Sequence, residues 1–170
     1  VVEVSTALTG TADSVTYELA DAEGQVLATA EGLGTVQLAA NGITPWTPET
    51  PALYTLRVNV TANGTADTAE QRIGIRTIQV SSKTGLLLNG QPRTMKGGCI
   101  HHDLGILGAA DHAAAERRRI RLMKESGFDA IRAAHNPFGP AFLNACDELG
   151  MLVVEEAFDE WVMGRTSFGL

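Results

Sequence analysis

A length of 170 residues with 44% apolar and 19% charged composition is that of an ordinary soluble protein, with material for one sizeable core or two small ones, and it sets disorder aside. A net charge of −7 excludes a phosphate backbone as the expected partner, so no nucleic acid is expected. No apolar run approaches the roughly 20 residues of a membrane helix, and Val2 and Val4 alternate with polar residues where a leader peptide would be charged and then apolar, so no membrane is expected either.

The first eighty residues carry a period of two. Val2/Val4, Val15/Tyr17/Leu19, Val36/Leu38, Tyr54/Leu56/Val58/Val60 and Ile73/Ile75 are short alternating runs, each expected to be a half-buried strand. Turn chemistry punctuates them at Asp21-Ala22-Glu23-Gly24, Asn41-Gly42 and Asn63-Gly64, the last placed as a tight hairpin requires. Short strands at this spacing predict an antiparallel sandwich over residues 1–80. The stretch from Thr44 to Pro51 is too rich in proline for a central strand and is expected to be an ordered loop leading into the strand at Leu53, with Trp46 capping the core.

Near residue 80 the period changes, which makes 81–170 a second domain. Leu86-Leu87-Leu88-Asn89-Gly90-Gln91-Pro92 predicts a small hairpin, and Thr94 to Ile100 a strand. Asp111 can cap a helix from about Ala113 to Ser126, stopped by Gly127. The basic run Arg117-Arg118-Arg119, with Arg121 and Lys124 between Glu116 and Glu125, reads as the solvated face of that helix. A short strand from Asp129 to Ala134 follows, then a helix from about Pro140 to Leu149 with Phe142, Cys146 and Leu149 on one stripe, stopped by Gly150, then Met151 to Val154, apolar on both faces. Strands alternating with helices predict parallel pairing with right-handed crossovers, the start of an α/β array with three strands and two helices where a closed barrel has eight of each. Such an array leaves an open edge and an unfilled interior, so the piece in isolation is expected to be marginal, rearranged or a homo-oligomer with Val153 and Val154 covered by a second copy.

Cys99 and Cys146 are two thiols without a second cysteine at metal or redox spacing; both are expected to be reduced, which fits a cytoplasmic location. The chain opens on Val1 and closes on Gly169-Leu170 with no terminating pattern, and reads as an excised segment.

In a parallel α/β barrel the chemistry gathers at the carboxyl ends of the strands, and here each strand runs into polar residues: His101-His102-Asp103, His135-Asn136, and Glu155-Glu156 with Asp159-Glu160-Trp161. A single histidine at a strand end is most often a satisfied structural group, whereas three clusters at three successive ends favour a site. Glu155 and Glu156 invite a reading as a catalytic pair. Successive strand residues point to opposite faces, however, so at most one of them faces a pocket, and they cannot easily flank one bond at the roughly 5 Å that a nucleophile and acid/base pair needs. His101, His102, His135 and a strand-end glutamate could instead surround zinc, but adjacent histidines diverge in an extended segment, and no His-x-His spacing is present.

Three segments carry a resemblance: Lys96-Gly97-Gly98-Cys99-Ile100-His101-His102-Asp103, Gly127 through Pro137 containing Arg132-Ala133-Ala134-His135-Asn136-Pro137, and Cys146 through Trp161 containing Val153-Val154-Glu155-Glu156-Ala157-Phe158-Asp159-Glu160-Trp161. In order and spacing they resemble glycoside hydrolase family 2, the β-galactosidase kind, and Pro45 through Tyr54 and Gly74-Ile75-Arg76-Thr77 look like the end of its immunoglobulin-like sandwich. The resemblance implies an immunoglobulin-like β-sandwich followed by the first three strands and two helices of a (β/α)8 barrel. It implies a parent enzyme that hydrolyses terminal β-galactosides, or related β-glucuronides or β-mannosides, with retention, and carbohydrate as its partner. A binding module built on the sandwich is the rival, though Tyr17, Trp46 and Tyr54 each have a core or loop explanation. The family's two catalytic glutamates would lie beyond Leu170, leaving this chain with no catalytic residue and no activity. His101 and His135 look like its substrate-binding histidines, with Asn136 beside them as a weaker candidate. Glu160 aligns with a magnesium ligand of some β-galactosidases, but Val162 stands where that subgroup has histidine, so no cofactor is expected and magnesium belongs at most to the parent. Ile100 and Ala134 replace the usual basic and hydroxyl residues before the two histidines, which bears on which sugar is bound.

Overall fold

The computed structural model describes residues 1–158 and divides the chain into two compact units. The first comprises Val1–Trp46 and Ala52–Arg76; the second comprises Thr47–Pro51 and the residues from Thr77 onward.

The first unit is antiparallel throughout. Strands β1 (Val2–Ser5), β2 (Ser14–Ala20), β3 (Val26–Glu31), β4 (Thr35–Leu38), β5 (Tyr54–Ala62) and β6 (Thr65–Ile73) form a four-stranded sheet, in the order β3-β2-β5-β6, and a β1-β4 ribbon. The alternation in β2 buries Val15, Tyr17 and Leu19, which join Val4 of β1, Leu38 of β4 and Tyr54 of β5 in a single core, so the two layers make the expected sandwich. On the opposite face of the four-stranded sheet, Glu18, Arg57 and Glu70 stand side by side on β2, β5 and β6, and Arg57 bonds both carboxylates at 3.1 and 2.7 Å. The Asn63-Gly64 turn joins β5 to β6 with φ of 50° and 74°, the doubly positive conformation that a two-residue hairpin demands. Trp46 is buried under Arg76, whose guanidinium carbon lies 4.7 Å from the ring centroid.

Two strands escape the apolar pattern. In β3 the half-buried positions include Ala28 and Ala30, too small to register as an apolar run, and β6 is an exposed edge strand rich in polar residues. The run at Ile73/Ile75 is only the tail of β6: Ile75 lies past its end, where its carbonyl accepts a hydrogen bond from the Trp46 N–H.

The second unit begins with a three-stranded antiparallel sheet of β7 (Ile78–Ser81), β8 (Gly85–Leu88) and β9 (Gln91–Pro92). Strands β10 (Gly97–Ile100), β11 (Ala130–Ala133) and β12 (Leu152–Glu155) then form a parallel sheet in that order, connected by helices α1 (Ala113–Glu125) and α2 (Pro140–Leu149). Ile131, Ala133, Ile100 and Val153 on one face of this sheet pack with Ile120 of α1 and with Phe142, Ala145 and Cys146 of α2. Val153 is therefore covered by the unit's own core, whereas Val154 lies on the other face and is 46% exposed.

Two local expectations are corrected. Asp111 does not cap α1, whose N-cap is His112 without a side-chain cap. It caps α2 instead, its carboxylate accepting hydrogen bonds from the Ala141 and Phe142 N–H groups at 3.0 and 3.2 Å. The physical reason is that α2 starts on Gly139 and Pro140: the first has no side chain to cap with and the second no N–H, so the first free donors need an acceptor from elsewhere in the chain. A Cβ on Gly139 would collide with that carboxylate. The basic run is likewise not a uniform solvated face. Arg119 is folded against Glu116, Lys124 donates to the carbonyls of Pro48 and Gly150 at 2.9 and 2.8 Å, and Arg117 pairs with Glu148.

Candidate functional site

The register of the parallel sheet sets Cys99, Arg132 and Val154 side by side on the face turned away from the helices. All three are exposed and, with Met95, Gly97 and Ala130, they line an open hollow of about 230 Å³. The carboxyl ends of the strands border this face, and His101, His135 and Glu156 follow them directly or within two residues.

His101, one residue past β10, and His135, two past β11, are brought together with ring centroids 5.1 Å apart and planes inclined by 59°. The Ala134–His135 peptide is cis. Asn136 is exposed beside His135. Glu160 lies outside the described residues. His102 goes elsewhere: its ring stacks on Phe138 at 4.0 Å, and its Nε2 is 3.2 Å from the Pro137 carbonyl. The adjacent histidines diverge, His101 toward His135 and His102 toward Phe138, and among the described residues no three His, Cys, Asp or Glu side chains are grouped to hold a metal.

Glu155 and Glu156 part as strand geometry requires. Glu155 accepts a hydrogen bond from the Phe138 N–H at 2.7 Å, while Glu156 turns to the open face and meets Arg132 and His135. Arg132 holds one oxygen of Glu156 through Nε at 2.7 Å and Nη2 at 2.5 Å, and His135 Nδ1 lies 3.1 Å from the other. Desolvation pushes the Glu156 carboxyl up, but hydrogen bonds and charge from Arg132, joined by His135, hold it below the ordinary carboxylate range.

His101 is held from behind. The side chain of Arg119 on α1 donates through Nη1 to the carbonyls of His101 and Asp103 at 3.1 and 3.2 Å, and its other nitrogens grip Glu116 at 2.6 to 3.0 Å. Glu116 is only 3% exposed, so this ion pair is part of the interior. Sequence reading missed Arg119 and Arg132 as parts of this arrangement and left open which of Glu155 and Glu156 turns to the open face. The signal available for Arg132 was its place as the charged residue in an otherwise apolar strand, Ala130-Ile131-Arg132-Ala133. The arrangement offers two imidazoles and a clamped carboxylate at one rim, groups suited to hydroxyl-rich ligands.

Comparison with known proteins agrees with this architecture. Residues 78–169 match the profile of glycosyl hydrolases family 2, TIM barrel domain, and residues 2–76 match that of glycosyl hydrolases family 2. The β-galactosidase BoGH2A of Bacteroides ovatus is 38% identical over 165 residues, covering 91% of this chain and 19% of the relative. The crystal structure of a glycosyl hydrolase family 2 member from Bacteroides cellulosilyticus superposes with a TM-score of 0.83 at 38% identity, over 91% of this chain and 21% of that one. The β-D-glucuronidase of Dictyoglomus thermophilum also gives 0.83, at 27% identity over 91% of this chain and 26% of that chain. The chain thus spans about a fifth of the length of the β-galactosidase it matches. With both of its units matched in order by the family's own domains, the chain belongs to glycosyl hydrolase family 2.

Proposed function

We propose that this chain supplies one wall of the sugar-binding site of a retaining β-glycosidase that cleaves terminal β-galactosides. The observation that carries the reading is the meeting of His101 and His135 at neighbouring strand ends of the parallel sheet, 5.1 Å apart. The two rings bind sugar hydroxyls and stabilise the oxocarbenium-like transition state, with Asn136 and Glu160 as further contacts, while the two catalytic glutamates come from sequence beyond residue 170. Double displacement by two carboxylates needs no cofactor. The chain alone is therefore inactive. Two free thiols, one of them exposed, support a cytoplasmic setting, and no helix among the described residues is long and apolar enough to cross a membrane.

A β-glucuronide is the second reading, favoured by the likeness to the Dictyoglomus thermophilum enzyme. The test is hydrolysis of nitrophenyl β-galactoside, β-glucuronide and β-mannoside by this chain and by a version extended through the parent gene. The longer protein alone is expected to turn over, fastest on the galactoside, and His101→Ala or His135→Ala in it should lower kcat by about 10² to 10³. Activity in the 170-residue chain that is lost in Glu156→Gln would overturn the reading.

A further inference from the structure

We infer that Glu156, clamped by Arg132, is a positioning residue that fixes His135 in the tautomer carrying hydrogen on Nδ1. The inference rests on the sugar-binding reading of His135 and adds the direction of its contact. A guanidinium has only donors, so its two bonds fix one Glu156 oxygen as an acceptor beside a permanent positive charge. An ionised carboxylate has only acceptors. The other oxygen, 3.1 Å from Nδ1, can therefore complete a hydrogen bond only if Nδ1 bears the proton. The charge of Arg132 that holds the Glu156 carboxyl below its ordinary range supports the ionised form.

The tautomer decides what the ring does for a ligand. A free neutral imidazole prefers hydrogen on Nε2. With Nδ1 protonated, the neutral ring instead carries its lone pair on Nε2, which makes that nitrogen an acceptor and not a donor. Glu156 and Arg132 act through His135, without touching the sugar. The pair links Arg132 on β11, and His135 two residues past that strand, to the end of β12.

The experiment reads the tautomer directly, without sugar. The 170-residue chain, labelled with ¹⁵N-histidine, contains only 4 histidines, and His135 is assigned by the signal lost in His135→Gln. Long-range ¹H–¹⁵N correlation at about pH 8, where an ordinary imidazole is neutral, should show the Nδ1–H pattern for His135. In Glu156→Gln, Arg132 retains the amide oxygen and the amide NH₂ faces Nδ1, so the ring should switch to Nε2–H. Arg132→Lys keeps one donor on Glu156 and should retain Nδ1–H. An Nε2–H pattern in the unaltered chain overturns the inference, as does a tautomer that Glu156→Gln leaves unchanged. The sugar-binding reading fails separately, through the kinetics of His135→Ala in the extended enzyme.

Discussion

The carboxylate of Asp111 reaches the Phe142 N–H at 3.2 Å, so a residue that precedes α1 caps the start of α2. Asp111→Ala should destabilise the chain by about 1 to 2 kcal/mol, read as a lower urea midpoint with unchanged slope. Gly139→Ala should cost more in the presence of Asp111 than in its absence, because the added methyl meets that carboxylate, so the double mutant should be less destabilised than the sum of the two single changes.

Arg119 is expected to be the costliest charged residue to remove from α1. Arg119→Met strands the interior carboxylate of Glu116, and loss of one partner of a buried pair costs about 3 to 5 kcal/mol. Glu116→Gln combined with Arg119→Met should recover part of that loss in thermal unfolding. In the extended enzyme, Arg119→Met should also raise KM, since it frees the backbone that carries His101.

The Glu156 carboxyl is held below its ordinary range, with desolvation opposing and Arg132 and His135 prevailing. A group whose folded pKa is depressed contributes stability that is present above its unfolded pKa, near 4.5, and lost as pH falls through the folded value. The stability difference between the unaltered chain and Glu156→Gln should therefore be largest near neutrality and vanish in strong acid. A difference that grows on acidification would contradict the pairing.

The two thiols should separate cleanly. Cys99 is exposed on the open sheet face, and Cys146 is buried in α2, where desolvation pushes its thiol well up. A disulfide reagent at neutral pH should modify one thiol at once and the second only on unfolding.

Metal removal should leave the extended enzyme active. The sequence has Val162 where the magnesium-binding subgroup has histidine, so chelation by EDTA followed by added magnesium should change kcat/KM by less than about twofold. A large dependence would assign Glu160 a metal.

Most of the architecture was legible because it rests on short-range physics. Val15/Tyr17/Leu19 alternate as a strand with one buried face must, Asn63-Gly64 forms the turn its two positive φ values require, and α2 spans the Pro140–Leu149 stretch that its apolar stripe predicts. What the sequence withheld were partners distant along the chain. Asp111 sits where a cap for α1 belongs, and only the fold brings the gap left by Gly139 and Pro140 within its reach. Arg119 lies in a run of arginines that pattern alone cannot divide into solvated and buried members. His101, His135 and the Glu155-Glu156 pair could be named from their places at strand ends, but the contact of Arg132 with Glu156 follows only from the register of β11 against β12.

The parting of Glu155 and Glu156 has a consequence for how the sheet assembles. One carboxylate is matched to a backbone donor at Phe138 and its neighbour to a guanidinium and an imidazole on the open face. If β12 docked one residue out of step, Glu155 would arrive among the charges and Glu156 among the helices, and both sets of donors would be mismatched at once. The strand end therefore works as a two-sided key, and the same two residues that finish the rim reject an offset arrangement of the strand beneath it.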